Sequence, residues 1–163
     1  MMFYSDLVKK VKDGKFEKNK DIYIFRLNLL RILRTVIMAI PFVLIGLLEV
    51  VTIEQMGFRW QSLLSVLAVT YGIYLISTVF SFKITVKDES LTLKKTVINF
   101  DEIESCTLEN RVVPKGKIIE PSLRILTKNN QEIYFHLFMG KRIEFLLLIK
   151  EILGSRFKIV EEK

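Results

Sequence analysis

The sequence has only one cysteine, Cys106, and one histidine, His136, in 163 residues. A single cysteine excludes a disulfide within the chain, and it excludes any metal site built from several cysteines. Because Cys106 lies in the strand-like stretch ESCTL, we interpret it as a buried, unreactive thiol. His136 alternates with apolar residues in another predicted strand, and we interpret it as structural rather than as a general base or metal ligand.

Catalytic and nucleotide-binding motifs are also missing. The chain contains no GxxxxGK[ST], GxGxxG, HExxH or GxSxG pattern. Asp101, Glu102 and Glu104 form an acidic cluster, but a run of this kind along a strand does not converge the six to eight oxygens that Ca²⁺ prefers. We therefore interpret the cluster as a solvated turn, and we expect no enzymatic activity, no cofactor and no small-molecule substrate.

Charged residues are scarce in the middle of the chain. Residues 35–51 contain only Glu49, and the 23 residues 60–82 contain none. A helix over 60–82, rising ~1.5 Å per residue, would span roughly 34 Å, which is enough for the ~30 Å hydrocarbon core of a bilayer. The sequence therefore predicts a hairpin of two transmembrane helices over 35–82, with spans at 35–53 and 60–82.

The first predicted span is the weaker of the two. Pro41 lacks a backbone donor and should kink the helix. Glu49 lies near the helix end, where a carboxylate usually reaches water, although a carboxylate at bilayer depth can be functional. In the second span, Gly72 is one of several small residues that favour close helix approach.

The basic excess lies before the first span. Residues 1–34 carry nine Lys and Arg against four Asp and Glu. Juxtamembrane cations are retained on the cytoplasmic side and attracted to anionic lipid, so we expect both termini in the cytoplasm and the loop 52–59 outside. The predicted juxtamembrane anchors are Arg26, Arg31, Arg34 and Trp60. No basic helix or nucleic-acid motif is present, so we expect no nucleic-acid partner.

The basic segment 1–34 has three interpretations that the sequence leaves open. Leu7, Val8 and Val11 form a weak helical stripe, which is typical of an amphipathic helix on the bilayer surface, but the segment could equally be a mobile arm. A strand at 22–25 that docks on the C-terminal part of the chain is the third interpretation.

The remaining residues, 83–163, have strand-like alternation followed by a helix. The predicted strands cover 83–87, 91–95, 96–100, 103–109, 123–127 and 132–138, and Asn129 and Asn130 favour a hairpin turn between the last two. Pro114, Gly116 and Pro121 predict a loop over 110–122. An apolar stripe predicts a helix over 141–153 that ends at Gly154, and 156–160 is either a last strand or a surface tail.

This order of elements resembles a pleckstrin-homology (PH)-like domain. The resemblance is carried by FKITVKDESLTLKK, INFDEIESCTLEN, LRILTKNNQEIYFHL and the closing helix KRIEFLLLIKEIL. With the preceding helices, the chain resembles bacterial PH-domain membrane proteins. The implied fold class is an α+β membrane protein, with a transmembrane hairpin followed by a PH-like antiparallel β-sandwich or barrel and a C-terminal capping helix. The implied domains are a basic segment 1–34, the hairpin 35–82 and a cytoplasmic domain 83–163.

The resemblance implies an integral protein of the bacterial inner membrane without an assigned biochemical activity. The loop that carries phosphoinositide binding in eukaryotic PH domains corresponds to residues 87–90, which are acidic in the middle. We expect an interaction module that binds a protein partner, a second copy of itself or the anionic membrane surface. The candidate lipid contacts are Lys94, Lys95, Arg111, Lys115 and Lys117. The alternative is an accessory subunit of a membrane transport or envelope complex that acts through its helices, with Glu49, Pro41 and the face around Gly72.

Overall fold

The computed structural model describes residues 3–93, 96–112 and 119–160, apart from the side chain of Gln61. The helices are α1 (Tyr4–Asp13), α2 (Leu29–Met56), α3 (Trp60–Phe80) and α4 (Arg142–Leu153). The strands are β1 (Ile22–Arg26), β2 (Lys83–Lys87), β3 (Ser90–Leu93), β4 (Thr96–Asn99), β5 (Ile103–Val112), β6 (Ile119–Thr127), β7 (Glu132–His136) and β8 (Phe157–Ile159). Short 3-10 helices lie at Phe100–Glu102 and Gly154–Arg156.

The chain forms two compact units. One unit, which we call the α+β unit, combines Met1–Arg26 with Ile84–Lys163, and the other is the helical hairpin Leu27–Lys83. The N-terminal segment, which the sequence predicts to be a separate juxtamembrane region, therefore shares a unit with the C-terminal half of the chain. The hairpin is an insertion within the sequence of that unit.

The hairpin consists of two helices that are long and apolar enough to cross a membrane. The Asn28 side chain caps the start of α2 by accepting a hydrogen bond from the Leu30 backbone N–H at 3.2 Å. The helices run antiparallel, because contacts later in α2 are made with residues earlier in α3. A Cβ at Gly72 would lie 3.1 Å from Phe42 Cβ, and one at Gly46 would lie 2.0 Å from Val69 Cγ2. Both glycines therefore mark close approaches between the helices.

The first sheet has the strand order β1–β2–β3–β4. Of the interpretations left open for the N-terminal segment, the structure has the strand: β1 is hydrogen-bonded beside β2. Tyr23 and Phe25 of β1 are buried, while Ile22 and Ile24 are exposed, as the period-2 geometry of a strand requires. Strands β2, β3 and β4 follow the predicted boundaries within two residues.

The apolar stripe of α1 packs on protein. Leu7 and Val11 are fully buried, and α1 contacts α4. The Tyr4 hydroxyl lies within hydrogen-bond distance of the carbonyl oxygens of Val160, at 2.6 Å, and Leu108, at 3.0 Å. Lys150 Nζ donates to the carbonyl oxygens of Val11 at 2.8 Å and Lys12 at 2.9 Å, in the last turn of α1. The predicted helical stripe is confirmed, and α4 is among the elements that it packs against.

The second sheet has the order β7–β6–β5–β8, with β8 parallel to β5. The predicted loop over 110–122 is wrong at both ends, because β5 extends to Val112 and β6 begins at Ile119. Pro121 is accommodated in β6, and its carbonyl oxygen accepts a hydrogen bond from the Leu137 N–H at 3.0 Å. The remaining loop residues, 113–118, lie outside the described residues.

The sequence left open whether the strands form a β-sandwich or a barrel. Within the described residues, the strands form two four-stranded sheets and no closed barrel. Strands β1 and β8 each add an edge strand to a three-stranded antiparallel meander. The core contains inward-facing residues from both sheets and from α4, including Ile84, Leu91, Leu123, Ile125 and Phe145.

Candidate functional site

Of the five predicted lipid contacts, only Arg111 lies within the described residues. Lys94, Lys95, Lys115 and Lys117 fall outside them. Arg111 is exposed near the end of β5, and its guanidinium carbon lies 3.8 Å from the centre of the Tyr134 ring. This distance is typical of a cation–π contact. The predicted lipid-contact role of Arg111 stays a prediction, and its side chain is already held by an aromatic ring.

Tyr134 belongs to a polar network on the outward side of the second sheet. The Tyr134 hydroxyl and the Arg124 guanidinium both donate to the Glu132 carboxylate. The hydrogen bond from Tyr134, followed by that from Arg124, lowers the pKa of Glu132. The hydrogen bond to Glu132 raises the pKa of Arg124. The network is therefore charge-paired and exposed, so its contribution to stability is small.

His136 lies beside Ser122, a residue that the sequence predicts to lie in a loop. The two residues are register partners on β7 and β6, and His136 Nδ1 lies 2.6 Å from Ser122 Oγ. Ser122 Oγ also lies 3.1 Å from the Glu120 carbonyl oxygen, and the donor in its contact with His136 is set by the tautomer of the imidazole. Ser122 is fully buried. The pair forms a cross-strand contact between β6 and β7.

Cys106 is buried in β5, as its pattern predicted. Burial raises the pKa of its thiol to about 12. A thiol with this pKa is protonated at neutral pH and has little nucleophilic or metal-binding character. Across residues 3–93, 96–112 and 119–160, no three His, Cys, Asp or Glu side chains are grouped in a way that could hold a metal ion.

The predicted juxtamembrane anchors lie on different elements. Arg26 ends β1, and its carbonyl oxygen accepts a hydrogen bond from the Gly140 N–H at 3.1 Å. Arg31 and Arg34 are exposed in the first two turns of α2, and Trp60 is the exposed first residue of α3. Arg26 thus belongs to the α+β unit, while the other three lie in the hairpin.

Glu49 makes polar contacts inside the hairpin that the sequence did not reveal. Its carboxylate accepts hydrogen bonds from Ser62 Oγ at 2.5 Å and from Ser65 Oγ at 3.2 Å, both on α3. Ser62 is fully buried and Ser65 nearly so. The carboxylate lies beside the first turns of α3, where exposed backbone N–H groups favour negative charge. Glu49 therefore joins the two helices instead of simply reaching water.

The exposed surface of the first sheet differs in chemistry from that of the second. Strands β1–β4 contain three cations and no carboxylate, whereas β5–β8 contain three cations and four carboxylates. We call the exposed side of β1–β4 the first-sheet outer face. It comprises Ile22, Ile24 and Arg26 on β1, Lys83 and Lys87 on β2, Thr92 on β3 and Val97 on β4, whereas Thr85 in the middle of β2 is buried.

Comparisons with known proteins identify no protein related to this chain. The chain matches no protein-family model, and neither a curated protein nor a solved structure matches it. What is established is a mixed α+β architecture with two sheets, combined with two long apolar helices.

Proposed function

We propose that this protein is a membrane-anchored, non-enzymatic interaction module with a PH-like α+β unit. In this proposal α2 and α3 span the bilayer, both termini lie in the cytoplasm of a bacterial cell, and the α+β unit binds the anionic membrane surface or a protein partner. The absence of catalytic motifs and the cross-strand role of Ser122 and His136 support a non-enzymatic role.

One observation carries the proposal: an apolar hairpin is inserted between two neighbouring strands of a sheet. Strand β1 ends at Arg26 and α2 begins at Leu29, while α3 ends at Phe80 and β2 begins at Lys83. Each connection is therefore only two residues, and two residues reach at most about 7 Å. Along α2 only Ala39 is fully buried, so most of the apolar surface that does not face α3 is available to lipid. An anchor with such short connections keeps the α+β unit near the bilayer.

The experiment that tests this proposal is a topology measurement on the full chain. Single cysteines replace Phe58, between the helices, and Lys128, in the β6–β7 turn, in a Cys106→Ala background. We expect the protein to resist carbonate extraction from membranes. We also expect a membrane-impermeant thiol reagent on intact spheroplasts to label position 58 but not 128. Carbonate release, or labelling of both positions from the same side, would contradict the proposal.

The contacts of Glu49 favour a second candidate function. A half-buried carboxylate within a candidate spanning hairpin is expensive, and such residues often serve transport or helix–helix assembly. In this alternative the protein is an accessory subunit of a membrane transport or envelope complex, and its helices carry the activity through Glu49 and the close approach at Gly72.

Replacing the hairpin with an unrelated helical hairpin distinguishes the two candidates. In cells that lack the native protein, the interaction module predicts that the chimera restores the native phenotype. The accessory-subunit alternative predicts that the chimera fails, and that Glu49→Leu in the native hairpin fails in the same way. Membrane levels of each variant, measured by immunoblot, serve as the control for insertion.

A further inference from the structure

We propose that the first-sheet outer face docks onto the anionic surface of the same bilayer that holds the hairpin. This inference rests on the proposed membrane anchoring and identifies a surface for it. Of the basic residues that the sequence suggested, only Arg111 lies within the described residues, and it belongs to the second sheet.

The apolar part of this face is exposed. Ile22 is 50% exposed, Ile24 is 48% exposed and Val97 is 61% exposed, although each alternates with a buried neighbour in its strand. Exposed β-branched side chains on a regular sheet have a favourable partner in the interfacial zone of a bilayer, where apolar groups leave water.

The charge of the face complements anionic lipid. Arg26, Lys83 and Lys87 are exposed at strand positions, and no strand of this sheet carries a carboxylate. The nearby turn contains two carboxylates, Asp88 and Glu89, and Lys18 forms a salt bridge with Asp88. Cations near an anionic leaflet are attracted over about one Debye length, so the attraction is salt-dependent.

The connections between the sheet and the hairpin favour the bilayer surface, rather than a free ligand, as the binding partner of this face. Arg26 and Lys83 are the strand residues at the junctions with the hairpin. The hairpin already holds the face next to lipid, so the effective concentration of lipid at the face is high. A surface with few cations is therefore enough for docking. Removing one cation should shift the ratio of docked to undocked protein about fivefold.

The test uses full-length protein in vesicles, labelled with an environment-sensitive fluorophore at a cysteine that replaces Val97, in a Cys106→Ala background. A label at Glu104, an exposed residue of β5, serves as the control. In vesicles with anionic lipid at low salt, we expect the label at position 97 to shift to the blue and to be quenched by brominated lipid, while the label at 104 stays in water. High salt or Lys87→Gln should reverse the signal, and Lys158→Gln on β8 should not.

The other outcomes would contradict the inference, and they distinguish a wrong docking surface from a wrong membrane anchor. If carbonate-resistant protein gives the same signal at positions 97 and 104, or the same signal at 97 in neutral and anionic vesicles, the docking surface is wrong and the membrane anchor stands. If the label at 97 is shielded without lipid quenching, a protein covers the face instead. If the protein is not retained by the vesicles, the proposed function and this inference both fail.

Discussion

Lys150 Nζ donates a hydrogen bond to the carbonyl oxygen of Val11 at 2.8 Å, although the two residues lie on opposite sides of the helical hairpin in sequence. The lysine adds a positive charge and a donor where the last carbonyls of α1 have no partner within the helix. With the Tyr4 hydroxyl, which lies 3.0 Å from the carbonyl oxygen of Leu108, this contact makes the N-terminal residues part of the α+β unit. The C-terminal half of the chain is therefore incomplete by itself.

The docking of α1 predicts a stability effect at Leu7. This side chain is fully buried, so Leu7→Ala should lower the free energy of unfolding by about 2–5 kcal/mol, as truncations of buried leucines do. Lys9→Ala, two residues further along α1 and exposed, should change it by less than about 0.5 kcal/mol. Thermal unfolding of the detergent-solubilised protein measures the difference. Equal stability of the two variants would contradict the packing of α1.

Cys106 predicts a pH dependence of stability. Because burial raises the pKa of the thiol from 9.0 to about 12, the folded protein keeps a proton that the unfolded chain loses above pH 9. Its contribution is complete below pH 9 and declines as the pH rises towards 12, by up to ~1.4 kcal/mol per pH unit. The difference in unfolding free energy between the native protein and Cys106→Ala should follow this decline. A difference that is independent of pH would contradict the burial of the thiol.

The same burial predicts slow alkylation. At pH 8, iodoacetamide should modify Cys106 in the folded protein far more slowly than in protein unfolded by guanidinium. Rapid modification of the folded protein would place the thiol at the surface.

The close approach at Gly46 predicts a disrupted hairpin on substitution. A Cβ at this position would meet Val69 Cγ2 at 2.0 Å, so Gly46→Val should separate α2 from α3. The reporter is a disulfide between cysteines at Phe42 and Gly72, whose Cβ positions are 3.1 Å apart and need to separate by a few tenths of an ångström to reach the roughly 3.5–4.5 Å of a disulfide. Oxidation should cross-link the parent hairpin and fail in Gly46→Val, while Ile45→Val should have no effect. Normal cross-linking in Gly46→Val would contradict the helix packing.

The local patterns of this sequence predicted most individual elements. Two apolar helices, the β6–β7 hairpin and the helix ending at Gly154 could be read from period, turn residues and caps, because those signals are local. The boundary of β6 was missed, since Pro121 is a turn signal in isolation, and only the pairing with β5 and β7 makes it a strand residue. Because Ser122 was predicted to lie in the loop, its pairing with His136 across β6 and β7 was missed as well.

The sequence did not reveal which residues contact each other when they lie far apart along the chain. The stripe on α1 is equally suited to lipid and to α4, and only the folded unit shows that α4 lies against it. The Glu49 contacts likewise depend on which face of α3 meets α2, which hydropathy does not determine. The difference in charge between the two sheets likewise depends on which strands pair with one another, and the sequence does not determine that pairing.

Excision of the hairpin is the measurement that tests the central claim most directly. The claim is that the hairpin is an anchor inserted into a self-sufficient α+β unit. A protein in which residues 3–26 are joined to 84–160 by a short Gly/Ser linker should be soluble and should unfold cooperatively, whereas residues 83–160 alone should not. An excised protein that remains unfolded or aggregated, or a C-terminal fragment that folds equally well without residues 3–26, would contradict the account.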